Sequence, residues 1–167
     1  MAVKTVQDLL VEELRDIYHA EKQLVKALPK MAKSSKSAKL RQAFESHLEE
    51  TKGQVERLEN VFEKLEVPAR AKRCEAMVGL IEEAQEMMEE IKTPEVLDAA
   101  LIGAAQKVEH YEIASYGTVH ALAEATGQQE VARLLNETLE EEKSADQKLN
   151  QIALSEVNKT ALQKAAA

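Results

Sequence analysis

At 167 residues the chain has the length of one domain with a sizeable core. Five Gly, three Pro, no Trp and 3% aromatics exclude a β-sandwich or barrel and point to an all-α protein built on Ala, Leu, Glu and Lys. A net charge of −8 excludes the basic surface that nucleic acid requires, and the one cysteine, Cys74, excludes an internal disulfide or a four-cysteine metal site.

The start of the chain carries Lys4 with no apolar run after it, and no window approaches the roughly 20 apolar residues of a membrane span. The expectation is a cytoplasmic protein with no membrane and no nucleic-acid partner. A single domain over 1–167 is predicted, with helices over about 5–32, 37–65, 71–91, 94–126 and 128–157.

Thr5 reads as the N-cap of the first helix. Leu10, Leu14, Ile17, Leu24 and Leu28 form its apolar stripe, and Glu21 occupies the next apolar position between Ile17 and Leu24. Pro29 is expected to kink or loosen the last turn. Ser34 to Ser37 form the loop. The second helix buries Leu40, Phe44, Leu58, Val61 and Leu65, and places His47 and Glu50, three apart, between Phe44 and Leu58. Val67-Pro68 ends it. A crossover follows whose short helix has Met77, Leu80, Ile81, Ala84, Met87 and Met88 on one side, expected to pack as a lid across the bundle.

Thr93-Pro94-Glu95 opens the third long helix with an N-cap, a first-turn proline and an acid, and Gly127 stops it. Its stripe of Leu101, Val108, Val119 and Leu122 is broken by Glu112, with Glu109 one turn earlier. The last long helix turns Val131, Leu135, Leu139, Leu149 and Ile152 inward. The tail from Asn158 is expected to fray.

An offset of 91 residues maps His19 onto His110, Glu21 onto Glu112, and Leu48-Glu49-Glu50 onto Leu139-Glu140-Glu141. Two such helical hairpins joined by a long crossover make an antiparallel four-helix bundle. Each long helix then brings a carboxylate toward mid-bundle: Glu21, Glu50, Glu112, and Glu141 by the repeat or Glu142 by heptad spacing from Leu135 and Leu149. An unpaired buried charge costs on the order of several kcal/mol, and Lys22, Lys52 and Lys143 are expected on other faces. Two divalent cations would neutralise four carboxylates, and oxygen-rich sites with imidazole suit iron or manganese. His19 and His110 lie roughly 200° around the helix from their neighbouring Glu and are expected off-site. Tyr18 and Tyr116 are expected to pack in the core, with a place near the site as the alternative.

Tyr18-His19-Ala20-Glu21, His47-Leu48-Glu49-Glu50, Glu109-His110-Tyr111-Glu112 and Leu139-Glu140-Glu141-Glu142 resemble the YciE/YciF-like bacterial stress-protein family of the ferritin-like superfamily. The resemblance implies a rubrerythrin-like dimetal bundle, dimeric and expressed under stress. It assigns Glu21 and Glu112 as the single-Glu ligands, Glu50 and either Glu141 or Glu142 as the partner-helix ligands, and Glu109 as an additional carboxylate. The usual Glu-x-x-His is missing: Gly53 stands three after Glu50, and His47 precedes it instead. Asp146, one turn after Glu142, is a substitute in the last helix. The implied function is handling of iron, or of peroxide or oxygen, at a di-iron or dimanganese site. The rivals are a non-enzymatic stress protein acting through dimerisation or a partner, and iron storage in a shell.

Overall fold

The computed structural model describes residues 3–165; Met1, Ala2, Ala166 and Ala167 lie outside the described residues. Six α-helices and no strand are found among them: α1 (Val6–Ser34), α2 (Ala38–Lys64), α3 (Glu75–Glu90), α4 (Pro94–Ala125), α5 (Gln129–Ile152) and α6 (Asn158–Ala165), with a π-helical segment, Ala153–Val157, between the last two. No helix among them is long and apolar enough to cross a membrane.

The caps explain most of the boundaries. Thr5 and Asp8 form a capping box, each side chain accepting the other's backbone N–H at 3.0 Å. Ser37 caps α2 by accepting from Leu40 N. Past the C-cap Thr126, Gly127 adopts φ 75, Gly127 N donates to Glu124 O and Gln128 N to Ala123 O, a Schellman ending that needs a residue free to adopt positive φ.

Three local expectations are corrected. Helix α1 continues through Pro29 to Ser34, two residues past the expected end near Ala32. Helix α3 begins at Glu75 rather than near 71, because the Cys74 thiol caps it by accepting from Met77 N, while Lys72 N is drawn to Arg15 O. The tail beyond Asn158 is helical as α6, continued from α5 by the π turn that buries Ala153 and Val157.

Helices α1 and α2 form one hairpin and α4 and α5 the other; α2 packs on α5 and α1 on α4 to close the bundle, and α3 lies against α4 and α1. The α1–α2 turn is pinned to α4 by Asp98, whose two oxygens accept the backbone N–H groups of Lys36 and Ser37 at 2.8 and 2.7 Å.

The apolar core comes in two blocks. One holds Leu24, Leu28, Leu40, Phe44, Leu101, Val108 and Leu149. The other holds Leu10, Leu14, Ile17, Leu58, Val61, Tyr116, Val119, Leu135 and Leu139. Between these blocks every long helix carries buried polar residues: Glu21, then His47, Thr51 and Gln54, then Glu109 and Glu112, then Glu142. The bundle therefore carries a polar layer sealed above and below by hydrocarbon.

Candidate metal centre

Glu21 is completely buried because its helix must bury Ile17 and Leu24 on either side of it, and it shares their stripe. Glu109, Glu112 and Glu142 are buried on the same grounds within α4 and α5. His47 enters from α2. One ligand atom each from His47, Glu109, Glu112 and Glu142 lies within 4.8 Å of the others, a composition and spacing able to hold a metal ion.

The polar atoms in this layer are poorly satisfied. Glu21 Oε2, Glu109 Oε2, both oxygens of Glu112, Glu142 Oε2 and His47 Nε2 are buried without a hydrogen-bond partner. His47 Nε2 stands 3.4 Å from Glu109 Oε1 and 3.7 Å from Glu142 Oε2. Its Nδ1 is 3.4 Å from Glu50 Oε2, so a proton on Nδ1 leaves the Nε2 lone pair facing carboxylate oxygens. Burial, and after it the nearby Glu142, hold the carboxyls of Glu21, Glu109 and Glu112 well above the usual carboxylate range. An imidazole lone pair and acid oxygens converging on one dry spot fit a cation bound between them.

The predicted residues divide into two groups. Glu21, His47, Glu109, Glu112 and Glu142 are brought together in the layer. Glu50 and Glu141 are not: they sit at its rim, with side chains 40% and 34% exposed. His47 holds Glu50 below its usual pKa through their hydrogen bond. Arg57 takes Glu141 in a two-pronged pair at 2.7 and 2.8 Å. Asp146, the suggested substitute ligand, instead accepts from Gln106 at 3.1 Å and lies 3.4 Å from His110. His19 is off-site as expected, with its Nδ1 accepting the Cys74 N–H. Lys52 and Lys143 pair with Glu49 and Glu140 on outer faces, and Lys22 lies over the Tyr18 ring.

Two members of the layer lie outside the expected ligand set. Gln54 is buried, and its amide donates to Glu142 Oε1 and, at 3.1 Å, to Glu141 Oε2. Its position seven after His47 and four before Leu58 places it on the buried stripe, which is the signal that would have found it. Tyr116, for which a place near the site is the alternative to core packing, donates its hydroxyl to Glu21 Oε1. It lies one turn after Glu112 on the same face. Tyr18 reaches Glu59 instead and takes no part.

Comparison with known proteins agrees with this architecture. The model of a domain of unknown function, DUF892, matches residues 5–162. The chain is 54% identical to Protein YciF of Escherichia coli (strain K12) over 166 residues, 99% of this chain and 100% of that protein. The crystal structure of the E. coli stress protein YciF superposes with a TM-score of 0.90, covering 94% of this chain and 99% of that one. YcfI of Rhodopseudomonas palustris is 50% identical with a TM-score of 0.89, covering 90% and 96% of the two chains. A protein of Xanthomonas campestris pv. campestris, at 24% identity and a TM-score of 0.77, shares the fold. The chain belongs to the DUF892, YciF-like stress-protein family, and its fold is ferritin-like.

Proposed function

We propose that this protein is a metal-binding stress protein whose polar layer holds two divalent cations, iron or manganese. The observation that carries the reading is the set of buried, unpartnered atoms: His47 Nε2 with oxygens of Glu21, Glu109, Glu112 and Glu142. Left alone, such a set is costly, since each buried group without a partner forfeits its hydration. Four carboxylates match the charge of about two divalent ions.

Bound iron or manganese would supply redox chemistry toward peroxide or oxygen. The chain's own residues fix the conditions for it. Glu109, Glu112 and Glu142 would be the main holders, with His47 as the nitrogen donor and Glu21 as the acid from the opposite helix. Glu50 orients the His47 ring through Nδ1. Tyr116 and Gln54 hold one oxygen each of Glu21 and Glu142, leaving the other oxygen of each free to face inward. The two apolar blocks exclude water. With one cysteine in the chain, electrons for a turnover cycle must come from an external donor.

A second reading is a non-enzymatic stress protein whose carboxyls share protons and which acts through a partner. It is favoured by the two neutral donors, Gln54 and Tyr116, and by Gly53 standing where the superfamily's histidine would. A homodimer belongs to either reading. Its support here is the exposed run of Val3, Val6 and Leu9.

Calorimetric titration of chelator-stripped protein with manganese(II) separates the readings. Saturable binding that Glu112→Ala weakens while helicity is kept supports the metal centre. Folded protein that takes up no manganese(II) or anaerobic iron(II) supports the second.

A further inference from the structure

The polar layer has a way in. A cleft between α2 and α5 is walled by Phe44 and Leu149 and floored by His47 and Glu109. It is narrow, with about 10 Å³ of free space, roughly enough for one water. At its mouth stand Glu50, half-buried, and Lys148, exposed. The cleft thus reaches His47 and Glu109, each of which carries a buried atom without a hydrogen-bond partner. On the other side of the bundle, α3 covers α1 and α4, and the groove beneath it is lined largely by apolar residues such as Leu24, Leu80 and Met88. That side offers a cation no relay of charged groups. Farther along the α2–α5 seam, the Arg57–Glu141 pair closes the gap.

We propose that this cleft is the cation's port, with Glu50 as the carboxylate that draws a divalent ion inward and Lys148 as the opposing charge that sets the rate. The inference rests on the metal-centre reading and adds a route and two roles to it. Glu50 suits the task because it touches both worlds. Its side chain is 40% exposed, and Oε2 lies 3.4 Å from His47 Nδ1 on the floor of the cleft. A cation met at the rim is one imidazole away from the buried oxygens. Lys148 has no ion-pair partner among the described residues. Its charge repels an arriving cation and attracts Glu50, so it brakes uptake. A charge at a narrow, low-dielectric mouth acts strongly on rate and weakly on the final equilibrium at a site deeper inside.

The test is stopped-flow uptake of manganese(II) by chelator-stripped full-length protein, followed with a metal-indicator dye. Lys148→Glu is expected to speed uptake several-fold with the same number of ions bound at the end. Glu50→Gln is expected to slow it several-fold. Both effects should shrink as salt shortens the screening length to roughly 3 Å at 1 M; a merely structural role for either residue would not respond in this way. An unchanged rate in either variant, or rate changes indifferent to salt, overturns the port while the metal centre stands. Wild-type protein that takes up no manganese(II) overturns both.

Discussion

Tyr116 on α4 donates its phenolic O–H to Glu21 Oε1 on α1, joining the two hairpins through the middle of the polar layer. The other Glu21 oxygen has no partner, and both residues are fully buried. Burial, and next to it the Glu21 charge, push the Tyr116 hydroxyl well above its ordinary pKa, so it stays a donor. Tyr116→Phe removes that donor and orphans a second oxygen. The expected cost is about 1–3 kcal/mol in urea unfolding of chelator-treated protein. An unchanged unfolding midpoint would mean that the bond contributes nothing.

The carboxyls of Glu21, Glu109 and Glu112 have folded-state pKa values well above 4.5. The folded chain keeps protons that the unfolded chain sheds above about pH 4.5, so this contribution to stability is full below that pH and lost as pH rises through the folded values. Chelator-treated protein should therefore melt higher near pH 5 than near pH 8. Among the acids shifted the other way, Glu130 is an exposed group with a small opposing effect. Saturating manganese(II) should reverse the order, because cations then replace the protons. Metal-free stability that climbs from pH 5 to pH 8 would contradict the buried acid layer.

Glu141 and Glu142 are neighbours in different surroundings, one at the rim and paired with Arg57, the other fully buried. Glu142→Gln should lower bound metal, whereas Glu141→Gln should keep it and lose about 1 kcal/mol as the Arg57 pair weakens. Metal analysis alongside urea unfolding checks both. Equal metal loss in the two variants would place Glu141 in the centre.

Gly127 provides a control remote from the chemistry. A Cβ there meets nothing within 4 Å, so Gly127→Ala costs only the backbone strain of φ 75, about 1–2 kcal/mol in chemical unfolding. Metal content should not change.

The bundle was legible in the sequence because its stripes are long and regular, and Glu21 and Glu112 stood out because they interrupt those stripes. Glu50 was misplaced by proximity to His47. Counted from Phe44, the buried positions are Thr51 and Gln54, and Glu50 falls to the side. The internal repeat is informative once faces are assigned. It equates Glu50 with Glu141, and both lie at the rim; it equates Thr51 with Glu142, and both are buried. The hairpins thus share a frame but not a set of buried polar side chains: α2 brings His47, Thr51 and Gln54, and α5 brings Glu142. The Cys74 cap and the π turn left no trace because cysteine is not a favoured cap and one extra residue in a helical turn carries no compositional mark.

The most direct measurement is the metal content of folded protein purified without chelator and then supplied with iron(II) or manganese(II). About two ions per chain are expected, reduced in Glu112→Ala and Glu142→Gln. Fully helical wild-type protein that retains no metal under these conditions would contradict it.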